Sequence, residues 1–131
     1  VAEIAARPQS RHVADLIGTN LVAGTCSDGV VTTDSGEALT TSSHLVGPVF
    51  ATVPPSAIAL HQREPEGSPR NRWRTSVLHM ELIGDRVRVQ LGGPLPLVAE
   101  VTPAAVADLG LAEGSPVWVS LKATEVSVYE R

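Results

Sequence analysis

Several groups in the second half of the chain have the chemistry that an oxyanion site requires. A fully ionised tetrahedral oxyanion needs one or two cations, hydroxyl donors and free backbone N–H groups, which a helix N-terminus can supply. Each charge-assisted hydrogen bond contributes roughly 1.5–3 kcal/mol, so three or four of them support micromolar affinity after association costs. The candidate ligands are Ser68, Arg70, Thr102, the backbone N–H groups of Ala104 and Ala105, and Lys122.

Composition makes Lys122 conspicuous, because it is the only lysine among the 10 Lys and Arg residues. The sequence also has 14 Asp and Glu residues, which gives a net charge of −4, so the chain is not expected to wrap nucleic acid. A single cysteine, Cys26, excludes an internal disulfide and a cysteine-based zinc site. The four histidines lack the spacing of metal ligands, so no metal and no resident cofactor is expected.

Motifs of known catalytic sites are absent from the 131 residues. There is no phosphate-binding loop ending in Gly-Lys-Ser/Thr, no Gly-x-Ser-x-Gly turn and no His-Glu-x-x-His helix. We therefore expect no enzyme activity from this chain.

No apolar run approaches the roughly 20 residues that cross a bilayer, and the first residues do not resemble a signal peptide. These features predict a cytoplasmic location.

The elements that would position the candidate ligands are mostly short strands. Ser10 and Gly18 bound a short N-terminal helix, on which Val13, Leu16 and Ile17 share one face. Thr102 caps a second helix over residues 104–109, which begins after a favourable proline. Alternating apolar residues between Gly, Pro, Asp and Ser turns predict strands at residues 21–26, 30–33, 49–53, 57–61, 72–83, 86–91, 97–101, 117–121 and 125–129.

The strands recur in two similar sets. Residues 48–60 align with residues 116–128 at a constant offset, and Asn20 and Asn71 each open a half. This pattern indicates a duplicated β unit. We predict a mainly β protein of two tandem OB-like five-stranded β-barrel units, at residues 19–66 and 67–131, with one short helix in the second and a short N-terminal helix within residues 1–18.

About half of the chain resembles a known family. The stretch from SPRN at 68–71 to VTPAAVADLGLAEGSPVWVSLKATEVSVYE at 101–130 closely resembles the TOBE/Mop (molbindin) molybdate-binding domains. That family's pattern runs from Ser-Ala-Arg-Asn, through a helix ending Leu-Gly-Leu-x-x-Gly, to a strand with Lys-Ala-Ser/Thr. RPQSRHVADLIGTNL at 7–21 is similar to the end of an ABC transporter ATP-binding subunit, which makes residues 1–18 the tail of a preceding ATPase domain.

The resemblance implies a cytoplasmic regulatory domain of a molybdate importer's ATPase subunit. Molybdate or tungstate would bind at the interface of a homodimer with two equivalent sites and inhibit transport when the internal oxyanion is high. The other implied partners are the ATPase domain of the same chain and, through it, a permease at the inner face of the cell membrane. Ser68, Arg70, Thr102 and Lys122 match family ligand positions.

Two departures from the family pattern and one comparison within the chain qualify these expectations. Ala105 stands where a serine is frequent, and Pro69 replaces the alanine of Ser-Ala-Arg-Asn, so we expect weakened or altered binding more readily than its loss. In the first half, Pro54 aligns with Lys122, so only the second half is expected to bind an oxyanion.

Two other functions remain open. A free-standing molybdate storage protein would use the same site without controlling a transporter, although such a protein has no need of an ATPase-like tail. A nucleic-acid-binding barrel would use Arg70, Arg72 and Arg74 with Arg86 and Arg88, but the chain is acidic and has only four aromatic residues for stacking.

Overall fold

The computed structural model describes residues 7–67 and 71–131, and all structural statements concern these residues. Two of the candidate ligands, Ser68 and Arg70, lie outside them. The described residues contain α1 (Arg11–Ile17), β1 (Asn20–Ser27), β2 (Val30–Thr33), β3 (Ala38–Thr40), β4 (Gly47–Val53), β5 (Ala59–His61), β6 (Asn71–Ile83), β7 (Arg86–Leu91), β8 (Val98–Val101), α2 (Pro103–Leu109), β9 (Pro116–Leu121) and β10 (Ser127–Glu130). Two 3-10 helices, Pro55–Ala57 and Ala123–Glu125, precede β5 and β10.

The described residues fall into two compact units. Unit 1 combines those up to Pro54 with Lys122–Arg131, and unit 2 comprises those between Pro55 and Leu121. Each unit contains one five-stranded antiparallel sheet. The mainly β fold with two five-stranded units, one short helix in the second and a short N-terminal helix is therefore confirmed.

The sheet of unit 1 has the order β10-β4-β1-β2-β3. Its inner face consists of strand residues that point inward at every second position, as the pleat of a half-buried strand requires. The largest of these side chains, including Val31, Leu39, Val49 and Val53, are at most 1% exposed. Burial of such apolar side chains is what holds the unit together.

The sheet of unit 2 has the equivalent order, β5-β9-β6-β7-β8. In β7 the predicted alternation is confirmed, since Val87, Val89 and Leu91 are buried whereas Arg86 and Gln90 are exposed. Strand β8 packs against the 3-10 helix Pro55–Ala57, which brings the two margins of the sheet together. The resulting enclosure is the OB-like feature of this unit.

The last strand of each sequence half belongs to the sheet of the other unit. Strand β5 follows β4 in the chain but pairs with β9, and β10 follows β9 but pairs with β4. The chain leaves one unit for the other at Pro54–Pro55 and at Leu121–Lys122, which are nearly equivalent positions of the proposed repeat. The boundaries of the compact units therefore differ from the expected division at residues 19–66 and 67–131.

Both helices have the predicted ends. The Ser10 hydroxyl accepts a hydrogen bond from Val13 N, and Gly18 ends α1 in the left-handed conformation at φ 76°. A residue without a Cβ adopts that conformation without strain, so glycine is the favoured terminator. The predicted apolar face of α1 exists but points to solvent, with Val13, Leu16 and Ile17 42%, 72% and 47% exposed.

Three details of the strand prediction were wrong. Strand β3 was not predicted, because only Leu39 of its three residues is buried and turns flank it closely. Strands β5 and β10 begin two residues later than expected, because a 3-10 helix occupies the preceding positions in each case.

Among the described residues, no helix has the length and apolarity that a membrane crossing would need.

Candidate functional site

A buried asparagine fixes the strand ends that adjoin several candidate ligands. Asn71, 6% exposed, lies directly opposite Leu121 in the antiparallel pair of β6 and β9. Its side-chain Nδ2 donates to Leu121 O over 3.3 Å. Residues 68–70 precede Asn71 in the chain and Lys122 follows Leu121, so both predicted ligand segments adjoin this strand pair. The sequence singled out Asn71 as the start of a half but did not predict this contact.

Lys122 combines an exposed side chain with a well-defined backbone. It precedes the 3-10 helix Ala123–Glu125, and its carbonyl oxygen accepts a hydrogen bond from Glu125 N over 3.0 Å. Within the part of the chain that the structure describes, its ammonium group makes no ion pair or hydrogen bond. A lysine ammonium carries three donors and a full positive charge, so Lys122 is available to an anionic ligand.

Thr102 is the N-cap of α2 and is already engaged as an acceptor. Its hydroxyl oxygen accepts a hydrogen bond from Ala105 N over 3.1 Å, and Pro103 occupies the first turn. Because a hydroxyl both accepts and donates, the hydroxyl hydrogen of Thr102 can still be offered to a ligand. The Ala105 N–H, in contrast, is satisfied by the cap and would have to exchange Thr102 for a ligand.

Ala104 presents the remaining candidate donor on α2. It is exposed, and its backbone N–H has no intrahelical partner because it lies in the first turn. The structure thus keeps Thr102, Ala104 and Ala105 together at one end of α2. Ser68 and Arg70 lie outside the described residues.

The equivalent place in unit 1 has the same framework without the cation. Asn20 lies opposite Val53, and its Nδ2 donates to Val53 O over 3.0 Å. The next residue in the chain is Pro54, which has neither a charge nor a donor. The asparagine contact is therefore a property of both sheets. A lysine follows the residue that accepts this hydrogen bond only at Leu121, and a proline follows it at Val53.

Other polar side chains in unit 2 pair with one another. His61 Nε2 and Ser120 Oγ lie 2.8 Å apart, and His79 Nδ1 and Glu113 Oε1 are separated by 3.1 Å. Across residues 7–67 and 71–131, no three His, Cys, Asp or Glu side chains are grouped so that they could hold a metal ion. The candidate ligands therefore offer hydrogen bonds and charge, without a metal site beside them in these residues.

A domain-family model and two curated relatives point to the same group of proteins. The TOBE domain model matches residues 67–128. The chain is 38% identical over 144 aligned residues to the molybdenum import ATP-binding protein ModC of Mycobacterium tuberculosis H37Rv, covering 98% of this chain and 37% of that protein. It is 30% identical to the molybdate/tungstate import ATP-binding protein WtpC of Pyrococcus abyssi, covering 98% of this chain and 38% of that protein.

A solved structure has a similar fold. The cytoplasmic molybdate-binding protein ModG, in a form with molybdate bound, superposes with a TM-score of 0.73 at 24% identity, covering 86% of this chain and 96% of ModG. The chain spans little more than a third of the length of the curated import proteins that it matches. Residues 67–128 thus match the TOBE domain model, in a chain that is similar along nearly its whole length to molybdate and molybdate/tungstate import ATP-binding proteins.

Proposed function

We propose that this chain is the cytoplasmic regulatory region of a molybdate importer's ATP-binding subunit. In this role it binds molybdate, or tungstate of the same shape and charge, between two copies and slows uptake when the internal supply is high. The observation that carries the proposal is the similarity of 98% of the chain to import proteins named for these oxyanions. The nucleotide-binding region of the subunit would lie in the part of the relatives that this chain does not match.

The proposed ligands differ in how readily they can act. Lys122 offers a charge with no competing partner among the described residues, and the Thr102 hydroxyl can donate while it caps α2. Ala104 is an exposed residue whose N–H has no intrahelical partner, whereas the Ala105 N–H contributes only if its bond to Thr102 opens. Ser68 and Arg70, taken from the family pattern, complete the set. Alanine at position 105 removes a hydroxyl donor, so we expect weaker binding than in proteins with serine there.

Regulation follows from differential affinity. A dianion that bridges two chains in only one arrangement of the dimer stabilises that arrangement by the affinity difference between the two states. We propose that the stabilised arrangement keeps the nucleotide-binding regions apart and so inhibits a permease at the inner face of the membrane. The exposed face of α1, with Val13, Leu16 and Ile17, is the surface proposed to pack on the preceding ATPase region.

Thermal unfolding with and without molybdate tests the proposal. A ligand that binds only the folded state stabilises it by about 2.7 kcal/mol at 100 times its dissociation constant. Molybdate should therefore raise the melting temperature of the 131-residue chain, and Lys122→Ala should abolish the increase. Arg11→Ala, which removes an exposed cation from α1, is the matched control and should keep it.

Two outcomes separate the alternatives. An unchanged melting curve in millimolar molybdate, with the dimer verified, would contradict oxyanion binding. A free-standing molybdate buffer would give the same stabilisation, but Lys122→Ala in the full-length subunit would then leave molybdate inhibition of transport unchanged.

A further inference from the structure

Residues near the two ends of the chain contact each other in unit 1. The Tyr129 hydroxyl, on β10, donates a hydrogen bond to Pro8 O across 121 positions of the sequence. The Tyr129 ring lies 5.9 Å from the Phe50 ring and 5.8 Å from the Arg7 guanidinium. Pro8 is buried, and Tyr129 is 6% exposed. These four residues, Arg7, Pro8, Phe50 and Tyr129, form a group termed the terminal cluster.

The sheet of unit 1 gives the terminal cluster a fixed base. Tyr129 lies directly opposite Phe50 in the antiparallel pair of β10 and β4, so the two rings share a face of the sheet. Tilted rings at this separation attract each other. Beyond Tyr129, Arg131 N donates to Pro48 O over 3.4 Å, and Arg131 Nη2 lies 3.8 Å from Asp34 Oδ1. The end of β10 is therefore attached to the rest of unit 1, and the phenol has a defined position.

Helix α1 directly follows the terminal cluster and depends on contacts with unit 1. It has seven residues, and isolated helices shorter than roughly 12–15 residues are marginal in water. At its C-terminal end, α1 continues through Gly18 and Thr19 into β1, and in its middle Ala14 is fully buried. At its N-terminal end, the terminal cluster fixes Pro8, which lies just before the cap Ser10. The hydrogen bond from Tyr129 thus fixes the end of α1 that β1 does not.

The proposed regulation requires a stiff connection between this chain and the nucleotide-binding region. A flexible linker lets two regions move independently, so the arrangement of the dimer would then have no effect on nucleotide hydrolysis. In unit 1, the residues that lead into α1 are attached to a strand of the sheet. The exposed face of α1, with Val13, Leu16 and Ile17, is therefore fixed in one orientation on this unit.

The strand that carries Tyr129 also follows the proposed cation ligand. Residues Lys122–Arg131 all belong to unit 1. Between Lys122 and β10, Glu125 N donates to Lys122 O over 3.0 Å, and Val126 N donates to Ala123 O over 3.3 Å. Val126 is 6% exposed, which anchors this segment in the core. One ordered segment therefore contains both a proposed oxyanion ligand and the residue that fixes the start of α1.

We propose that Tyr129 is a positioning residue, which fixes α1 on unit 1 through Pro8 and so lets oxyanion binding act on the nucleotide-binding region. The inference rests on the proposed function and names the contact through which that regulation leaves this chain. Oxyanion binding and inhibition then have different requirements. Lys122 is needed for both, whereas the Tyr129 hydroxyl is needed for inhibition alone.

Amide hydrogen exchange of the 131-residue chain tests the attachment without any oxyanion. Tyr129→Phe removes the hydroxyl that donates to Pro8 O and keeps the ring, so exchange in α1 should accelerate roughly threefold or more. Thr41→Val is the matched control, because it removes another hydroxyl of unit 1, which donates to Gly29 O over 3.0 Å. It should leave exchange in α1 unchanged. Native exchange of α1 in Tyr129→Phe, or equal acceleration in both variants, would overturn the inference.

Molybdate binding and inhibition, measured separately, test the regulatory consequence. By calorimetry, the 131-residue chain with Tyr129→Phe should bind molybdate within about twofold of the native affinity, because the ligands are intact. In the full-length subunit assembled with its permease, the same variant should hydrolyse ATP roughly threefold or more faster than the native subunit at saturating molybdate. Thr41→Val should keep native inhibition, and Lys122→Ala should lose both binding and inhibition.

The outcomes distinguish this inference from the proposed function. Full inhibition of the Tyr129→Phe subunit by molybdate, or a large loss of molybdate affinity in the Tyr129→Phe chain, would overturn the positioning role and leave the proposed function intact. A native subunit that binds no molybdate, or that molybdate does not inhibit, would refute the proposed function and with it the regulatory role of Tyr129. The exchange result would then stand for the attachment of α1 alone.

Discussion

Units 1 and 2 hold equivalent asparagines in equivalent contacts but differ in the residue that comes next in the chain. Asn20 and Asn71 each donate to the last residue of the paired strand, Val53 O in one unit and Leu121 O in the other. The strand orders also correspond position by position. Yet the residue after the contact is Pro54 in unit 1 and Lys122 in unit 2, where the chain passes to the other unit.

The difference separates the requirements of the fold from those of ligand binding. A buried amide donor to a strand-end carbonyl stabilises either sheet, because an unpaired buried carbonyl is costly. A lysine at the next position contributes nothing to that contact. A capped helix between the third and fourth strands likewise occurs in unit 2, as α2, whereas residues 41–46 form a loop at the matching place in unit 1. Thus the features that both units share, the asparagine contact and the strand order, are structural. The features that only unit 2 adds, Lys122 and the capped helix α2, supply groups proposed to bind oxyanion.

The largest expected effect tests the strand exchange on which the comparison rests. A chain ending at Lys122 loses β10, which pairs with β4 of unit 1 although it lies at the end of the second half. Val126 and Tyr129, both 6% exposed, would be removed, for a cost of about 3–6 kcal/mol at roughly 1.5–3 kcal/mol per buried side chain. Amide hydrogen exchange should show lost protection in β1 and β4, with β9 still protected.

A matched pair of point variants provides the control for the truncation. Val126→Ala should destabilise unit 1, and Ile58→Ala should destabilise unit 2, although Ile58 lies in the first half of the sequence. If each variant instead lowers protection in the unit that contains the rest of its own sequence half, the strand exchange is refuted.

A smaller effect is expected from the two asparagines. Asn71→Ala leaves the Leu121 carbonyl without its amide donor and should lower the free energy of unfolding by about 1–3 kcal/mol. Asn20→Ala should cost less, because Val53 O still accepts from the Thr19 hydroxyl over 3.3 Å. Urea denaturation measures both losses. Only Asn71→Ala should also weaken stabilisation by molybdate, since Asn71 adjoins residues 68–70 and its partner Leu121 precedes Lys122. Equal loss of the molybdate response in both variants would contradict the assignment of binding to the second half.

Local signals in the sequence predicted the elements, whereas strand partners depend on distant residues. The caps of α1 and α2 were predictable because Ser10, Gly18 and Thr102 act on neighbouring backbone groups. The exchange of β5 and β10 between the two sheets was not predictable. Each of these strands has the same alternation of buried and exposed side chains whichever sheet it joins. Choosing between them depends on non-local pairing, which alternation within a strand does not encode.

The candidate site was likewise predictable in part. Its sole lysine was evident from composition, and the Thr102 cap was evident from the Thr-Pro start of α2. That the cap consumes the Ala105 N–H follows from a 3.1 Å contact, which sequence can suggest but not measure. The contact of Asn71 with Leu121 joins residues 50 positions apart, so no local pattern could have identified it.

The smallest effect concerns Tyr129, whose matched residue in unit 2 is His61. The Tyr129 hydroxyl donates to Pro8 O, and its ring lies 5.9 Å from the Phe50 ring and 5.8 Å from the Arg7 guanidinium. Burial raises the pKa of Tyr129 above 10.0, and the charge of Arg7 partly opposes this rise. His61 instead pairs with Ser120, so only unit 1 should respond to alkaline pH through a phenol at this position.

The pH dependence of unit 1 follows from the direction of that shift. A folded-state pKa above the unfolded value means that the folded chain holds its proton more tightly, so stability is complete below about pH 10 and is lost as pH rises through the folded pKa. Tyr129→Phe should cost about 0.5–1.5 kcal/mol at neutral pH through the lost hydrogen bond and should remove this alkaline loss. Because Tyr129 is the only tyrosine, phenolate absorbance reports it alone. Arg7→Ala should move the titration midpoint higher, and a midpoint at or below 10.0 in the native chain would mean that this face of unit 1 is open to solvent.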